Sequence, residues 1–206
     1  GDVYKRQPSD SALMGDQKMH FDFSQKKVLG KHELTILHMY EQSKMTRPFY
    51  YCITVGDSER LGMTPNFRQT GMAYQVMPFR TQGTGTEIDV ERMYDNVKNK
   101  FRWGGADRPG VYMDENARRT CETYRNMIFA PLADALMAKG DTIRAKEILN
   151  LSLEAIHPGA VPHNYSSLPL IKSFYNAGDI AKAEEISVAL IESGLSALRW
   201  YYRLDT

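Results

Sequence analysis

Two copies of one nine-residue pattern decide the fold: GDTIRAKEI at residues 140–148 and GDIAKAEEI at residues 178–186. A constant offset of 38 residues separates the two copies. A repeat period of this size is typical of stacked helical hairpins, in which a Gly-Asp turn ends one helix and starts the next. The pattern therefore predicts two helical hairpins in the C-terminal part of the chain.

The residues around the first copy fit the tetratricopeptide pattern, in which small residues let two antiparallel helices approach closely. They are Phe129, Leu132, Ala133 and Leu136 on the first helix, Ala145 and Leu149 on the second, and Pro158 near the end. The second copy fits less well, because Ser167 and Ser187 stand where larger apolar residues are usual. Since two such hairpins rarely stand alone, we expect them to pack on the preceding helices and on a terminal helix from Leu195 to Leu204.

Apolar residues at helical spacing also predict two earlier helices. A capping-box spacing that starts at Thr86 predicts a helix over residues 87–102. Asp114 is the expected N-cap of a second helix, which runs to Lys139. We expect a kink or break at Pro131, since an interior proline removes a backbone hydrogen bond.

The N-terminal part combines short strand patterns with one helix. Apolar and polar residues alternate over 19–23, which predicts a half-buried strand, and aromatic and β-branched residues predict buried strands at 49–55 and 73–79. Residues 31–44 have the period of an amphipathic helix. The segment 61–68 is short and interrupted by proline, so we expect only a helical turn or loop there.

Together these elements predict an α+β fold that is mainly α: a small strand-containing N-terminal region packed on a tetratricopeptide-like array of helical hairpins. We expect residues 1–18 to be a non-native or disordered head, 19–85 to form the small α/β region and 86–206 to form the helical region. Packing of amphipathic faces, more than intrinsic helix propensity, is expected to stabilise the array.

Composition excludes some functional classes. The 26 Lys plus Arg and 25 Asp plus Glu of this 206-residue chain give a formal charge of +1, which provides no basic excess for nucleic-acid phosphates. No apolar stretch reaches the ~20 residues needed to cross a bilayer, and no signal peptide is recognisable. Cys52 and Cys121 belong to no metal-binding spacing, so we expect two buried free thiols, with a disulfide as the less favoured alternative.

The motifs predict no catalytic, metal or cofactor site. His32 and His38 are six residues apart, not four as in a zinc-binding helix, so their rings point about 240° apart. The segment Gly83–Thr86 lacks the third glycine of a dinucleotide loop and is followed by no Gly-Lys-Ser/Thr, which favours a simple turn. We therefore expect no cofactor, no metal and no enzymatic activity in this chain.

Aromatic and basic side chains form the candidate interaction surface, which consists of Trp103, Tyr112, Arg118, Arg119 and Arg125. Aromatic faces can stack on sugar rings, and arginines that share one helix can bind anions. The competing interpretation is core packing for the aromatic residues and ion pairing for the arginines. The acids available for such pairs are Asp107, Asp114 and Glu122.

Several short motifs follow one another in a fixed order. They are RPFYY at 47–51, LG at 61–62, GMAYQVMP at 71–78, YDN at 94–96, KFRWGG at 100–105, VYMDEN at 111–116 and the Arg118-Arg119 pair. Their order and spacing resemble the C-terminal region of the domain-of-unknown-function 2723 family, bacterial multispanning membrane proteins considered related to protein O-mannosyltransferases. The chain departs from that family in SKMT at 43–46, where a tryptophan commonly precedes Arg-Pro, and in Pro131.

The resemblance implies an upstream membrane portion of the lipid-linked-sugar glycosyltransferase type. The acidic catalytic residue of such enzymes belongs to that portion, so no catalytic residue is carried over onto this chain. The resemblance also implies that this region is soluble and lies on the periplasmic side of a bacterial inner membrane. We expect a non-catalytic scaffold that binds a polypeptide or its own membrane domain, and the alternative is a carbohydrate-binding accessory module that uses Trp103 and Tyr112.

Overall fold

The computed structural model describes residues 19, 21–24, 26–43, 46–80 and 86–204. The chain divides into two compact units, Gly1–Met93 and Tyr94–Thr206. It is mainly helical with a small four-stranded sheet, which confirms the predicted fold class. The predicted head at 1–18 lies outside the described residues, and the predicted division into regions 19–85 and 86–206 stays a prediction. None of the described helices is both long and apolar enough to cross a bilayer.

The sheet of the first unit has the strand order β1-β3-β2-β4. The strands are β1 at Tyr50–Cys52, β2 at Phe67–Gln69, β3 at Ala73–Val76 and β4 at Glu87–Ile88. β3 pairs antiparallel with β1 and β2, whereas β4 pairs parallel with β2. Phe67 is fully buried, and its ring centroid lies 5.4 Å from that of Tyr74 and 5.0 Å from that of Tyr51. Aromatic packing across β1, β3 and β2 therefore stabilises this sheet.

One long helix of the first unit, α1 at Lys31–Ser43, matches its prediction. Its Tyr40 is buried and packs against Phe49, with ring centroids 4.5 Å apart. The strand predicted over 19–23 is wrong, because Met19 and residues 21–23 belong to no strand. The alternating pattern there reflects ring packing, since the Phe21 ring lies 5.6 Å from that of Tyr40.

Two other predictions for the first unit need correction. The buried strand predicted over 49–55 is only the three residues of β1, of which Tyr51 is buried while its two neighbours are exposed. The segment 61–68, predicted as a turn or loop, contains a 3-10 turn at Thr64–Asn66 and then enters β2. Pro65 lies in that turn and not in the strand, so its ring blocks no ladder hydrogen bond.

The first residues of the helix predicted over 87–102 form a strand instead, which corrects the start of that prediction. Glu87–Ile88 form β4, and helix α2 (Val90–Asp95) starts only after Asp89. The Asp89 Oδ1 accepts a hydrogen bond from the Arg92 N–H at 3.2 Å. Asp89, three residues after Thr86, is therefore the residue that caps the helix.

Two π turns extend helices of this chain. One follows α2 at Asn96–Lys100, and the other follows α3 (Glu115–Tyr124) at Arg125–Phe129. α3 starts as predicted, because the Asp114 Oδ1 accepts a hydrogen bond from the Ala117 N–H at 2.8 Å.

The break expected at Pro131 takes the form of the second π turn. α4 (Ala130–Ala138) follows that turn directly and has Pro131 in its first turn. In the π turn the Ala130 N–H bonds to the carbonyl of Arg125, five residues back. The chain therefore stays helical through the proline.

Two helical hairpins complete the second unit. The first joins α4 to α5 (Thr142–Ala155), and the second joins α6 (Leu168–Asn176) to α7 (Ile180–Leu204). Both turns contain a left-handed glycine, with φ 80° at Gly140 and 77° at Gly178. The separate terminal helix predicted over 195–204 is wrong, because α7 runs through this stretch without a break. The likeness of the hairpins to tetratricopeptide repeats stays a prediction.

Candidate functional site

A polar groove of about 370 Å³ opens on the second unit, between α3 and the linker that joins the two hairpins. The residues that line it are Glu115, Arg118, Arg119, Glu122, Val161, Pro162, His163, Asn164, Tyr165 and Ser193. The lining combines both signs of charge with an amide, hydroxyls and an imidazole. Such a surface can exchange hydrogen bonds with a polar chain along its length.

Arg125 positions the linker wall of this groove. Its side chain is fully buried, and its guanidinium donates hydrogen bonds to three main-chain carbonyl oxygens. The acceptors are Ile156 at 3.2 Å, Val161 at 2.6 Å and Pro162 at 3.0 Å. Burial lowers the pKa of Arg125 to about 10, so the guanidinium remains charged at neutral pH. A buried charge of this kind is tolerated because carbonyl dipoles replace the lost water.

His163 is an uncharged part of the same wall. It is 4% exposed, and its Nδ1 lies 3.0 Å from the Ser167 Oγ. Burial, and then the nearby charge of Arg125, lowers the pKa of His163 to about 4. The imidazole is therefore neutral at physiological pH, and it lines the groove as a dipole and not as a cation.

Asn164 connects the linker to α3. Its Nδ2 donates a hydrogen bond to the Glu122 carboxylate, and its Oδ1 accepts one from the Ser166 N–H at 2.9 Å. The next residue, Tyr165, has a ring that is 75% exposed at the groove. The linker thus holds an aromatic ring in water beside a fixed amide and carboxylate.

The predicted arginines differ in where they lie. Arg118 and Arg119 are exposed and line the groove. Arg119 pairs with Glu115 one turn away, at 2.7 Å, and not with the acids expected from the sequence. Arg125 is not a surface residue, because its guanidinium is bonded to interior carbonyl groups.

The two predicted aromatic residues are not brought together by the groove. Trp103 is half-buried, and its ring centroid lies 5.4 Å from those of both Tyr124 and Phe129, so it takes part in internal packing. Tyr112 is 86% exposed and does not line the groove. The structure therefore assigns packing to one of these rings and leaves the other in water.

The linker residues His163, Asn164 and Tyr165 line the groove, although no sequence motif predicted this role for them. A signal existed, because the 38-residue offset between the hairpins exceeds the usual ~34-residue repeat by a few residues. Those extra residues lie in the linker. Loops that are longer than a repeat requires often carry the binding residues.

A second polar cluster lies in the first unit. Ligand atoms of His32, Glu33 and Glu59 all lie within 4.8 Å of one another. The Lys26 ammonium bonds to the Glu33 carboxylate and lies 3.4 Å from the Glu59 Oε1, and its hydrogen bond is the main cause of the lowered pKa of Glu33. Lys26 thus supplies the positive charge that a cation would bring, and the absence of a metal stays a prediction.

Both cysteines are free thiols, as predicted, but only Cys121 is buried. Cys52 is exposed, which corrects the prediction that it lies in a buried strand. It alternates with the buried Tyr51, as the pleat of a half-buried strand requires.

Residues 3–95 match the family model of TMEM260-associated domain 2. That domain is associated with a membrane glycosyltransferase-like protein family. The match covers less than half of the 206 residues and ends before the groove begins. The domain-of-unknown-function 2723 family inferred from the sequence motifs is not shown by this match. Comparison with curated proteins and with solved structures found no match.

Proposed function

We propose that this chain is a non-catalytic scaffold region of a membrane-bound, glycosyltransferase-like protein, and that the groove beside α3 binds a polypeptide segment. The segment belongs to an acceptor protein or to the upstream membrane domain of the same protein. The observation that carries the proposal is the construction of the groove, in which a buried Arg125 fixes a linker that presents Asn164 and Tyr165 opposite Arg118 and Glu122.

The chemistry of this lining favours a polypeptide. A bound chain offers alternating N–H donors and carbonyl acceptors, which match carboxylates and arginines on α3 and the amide of the linker. The exposed Tyr165 ring adds apolar contact at a small cost in side-chain entropy. Arg125 already fixes the linker carbonyls, so the linker loses little conformational entropy when a peptide binds.

The match of residues 3–95 supports the membrane context of the proposal. We further propose that this region lies on the periplasmic side of a bacterial inner membrane. It is supported by the resemblance of the sequence motifs to the C-terminal region of the domain-of-unknown-function 2723 family, and by analogy with lipid-linked-sugar glycosyltransferases.

The proposal is tested by photo-crosslinking in the full-length protein within its native membrane. A photoreactive residue replaces Tyr165 in the groove or, as the matched control, the exposed Lys172 on α6. We expect position 165 to give one defined crosslink, to the membrane domain or to a co-purifying polypeptide, and Arg118→Glu to reduce it several-fold. Lys172→Glu makes the same charge change outside the groove and should leave the crosslink unchanged.

Two outcomes would count against this function. Equal crosslinking from positions 165 and 172 would show that the groove has no special partner. Turnover of a glycosidic or peptide substrate by the purified chain would overturn its assignment as non-catalytic.

A carbohydrate-binding accessory module is the second candidate, and the exposure of Tyr112 is the observation that favours it. A ring that is 86% exposed can stack on a sugar ring. Glycan-array binding that is lost in Tyr112→Ala and kept in Tyr175→Ala, another exposed tyrosine, would support it. Binding that survives both Tyr112→Ala and Trp103→Ala would remove this candidate.

A further inference from the structure

Helix α7 carries an apolar stripe that no other part of its own unit covers. The stripe consists of Val188, Ile191, Leu195, Leu198 and Tyr202, which are between 47% and 74% exposed. Their spacings alternate between three and four residues. This is the a/d pattern of a coiled-coil seam. A stripe with an average period of 3.5 residues packs along a second helix better than on a flat surface.

In the far half of α7, none of the residues whose exposure the structure describes is buried. Its near half packs on α6 through the buried Ala183 and Ile186, but every residue from Gly194 to Arg203 is exposed. A helical segment of about ten residues is marginal in water without tertiary packing. Three of the five seam residues, Leu195, Leu198 and Tyr202, therefore lie on the part of the helix with the most to gain from association.

If two copies of α7 are related by a two-fold axis, the residues that flank the seam on one copy are complementary to those on the other. One edge carries Glu192 and Arg199, seven residues apart and opposite in charge. The other edge carries Gly194 and Tyr201 at the same separation. When two copies of a helix pair antiparallel, like edges face each other, so each edge here meets its own complement.

We propose that the partner of this seam is α7 of a second copy of this chain, paired antiparallel. The central layers place Leu195 on Leu198 of the second copy and Ile191 on Tyr202 of the second copy, each occurring twice by symmetry. Glu192 then lies beside Arg199 of the second copy, and Tyr201 covers Gly194 of the second copy. Gly194 has open space where a Cβ would stand, which gives the tyrosine ring room to approach.

The alternatives fit these side chains less well. A parallel pair would set one edge against the other, so Glu192 and Arg199 would face the uncharged Gly194 and Tyr201. A lipid surface could accept Trp200 and Tyr201, but an anionic membrane would repel Glu192 at the edge of the seam. Four core layers form a small interface, so the dimer should be weak, with a dissociation constant of roughly 10–100 μM.

The test is sedimentation equilibrium of the full 206-residue chain over a range of concentrations. Wild type should change from monomer to dimer, and Leu195→Asp with Leu198→Asp should stay monomeric, with an unchanged circular dichroism spectrum below the dimer range. Ile143→Asp is the matched control, since Ile143 is an apolar residue on α5 that is 84% exposed and outside the seam. It should dimerise as wild type does.

Charge exchange tests the antiparallel orientation. Glu192→Arg alone or Arg199→Glu alone should weaken the dimer about tenfold, since each replaces two attractive pairs by two repulsive ones. The double exchange should restore wild-type affinity. An equimolar mixture of the two single variants should form a heterodimer more tightly than either forms a homodimer.

Three results would overturn the proposal. Wild type that remains monomeric up to about ten times the expected dissociation constant would remove the dimer. Failure of the double exchange to restore affinity would remove the antiparallel arrangement. Flotation of the monomer with phosphatidylcholine–phosphatidylglycerol vesicles, lost in the Leu195→Asp and Leu198→Asp variant, would assign the seam to a membrane.

Discussion

The two hairpins of the second unit start from the same turn and end in different environments. In each, the glycine N–H bonds to the carbonyl three residues back and the aspartate N–H to the carbonyl five residues back, at 2.9 Å around Gly140 and 3.0 Å around Gly178. In α5, buried residues continue to Ala155, whereas in α7 they end at Ile186. Turn geometry is thus set locally, while burial depends on which neighbours are available to cover a helix.

The largest effect is expected at the residue that holds the linker between the hairpins. Arg125→Ala would leave the carbonyls of Ile156, Val161 and Pro162 without their donor and open a cavity. We expect a loss of about 4 kcal/mol in the free energy of unfolding, measured by urea denaturation. Arg125→Lys should lose less, because it keeps the charge. A loss below about 1 kcal/mol in Arg125→Ala would show that the hairpins hold their own linker.

The next largest effect on the free energy of unfolding distinguishes α5, which has buried residues along its length, from the exposed far half of α7. Leu149→Ala removes a fully buried side chain from α5 and should lower the free energy of unfolding by about 3 kcal/mol. Leu195→Ala on α7, measured at a concentration where the chain is monomeric, should change it by less than about 0.5 kcal/mol. Similar losses in both variants would mean that α7 is covered within the monomer.

The linker should also make stability depend on pH. The folded pKa of His163, about 4, lies below its usual 6.5, so the unfolded chain binds a proton that the folded chain does not. The stability that the neutral imidazole contributes to the folded state is fully present above pH 6.5 and is lost as the pH falls toward 4. Between pH 7 and pH 5 we expect wild type to lose about 2 kcal/mol.

The matched variant for this pH effect is His163→Gln, which retains a hydrogen-bonding group but cannot titrate. Its free energy of unfolding, from urea denaturation at each pH, should be nearly constant over the same interval. An equal pH dependence in the variant would assign the effect to other groups.

The smallest effect tests the feature that the two hairpins share. Gly140→Ala and Gly178→Ala each place a Cβ in open space but require a left-handed residue, so each should cost about 1 kcal/mol by thermal denaturation. Because the two turns have the same hydrogen bonds, the two costs should agree within a few tenths of a kcal/mol. A clearly larger cost at one glycine would show that its turn depends on tertiary contacts.

Local signals predicted the helical elements well. Asp114 caps α3 as its sequence position indicates, and Gly140 and Gly178 end helices where the repeated pattern places them. Each of these features depends on a few neighbouring residues, so the sequence alone contains the necessary information. The mainly helical fold class follows from the sum of such signals.

Features that depend on distant partners were not predictable in this way. β2 is too short to have a pattern of its own and exists because β3 and β4 supply its hydrogen bonds. Arg125 was expected on a surface, because nothing local shows that carbonyls 31 to 37 residues later accept its hydrogen bonds. The groove was missed because its second wall is a linker with no periodic pattern, marked only by the 38-residue offset between the hairpins.

The π turn at Arg125–Phe129 affects how related helical chains must be aligned with this one. It holds one residue more per turn than an α-helix, so side chains beyond it are rotated by about 100° relative to an uninterrupted helix. An ungapped alignment through this region would place Leu132 and Leu136, both fully buried, on surface positions of the other chain. A single-residue gap within 125–129 restores the correspondence of the interior positions.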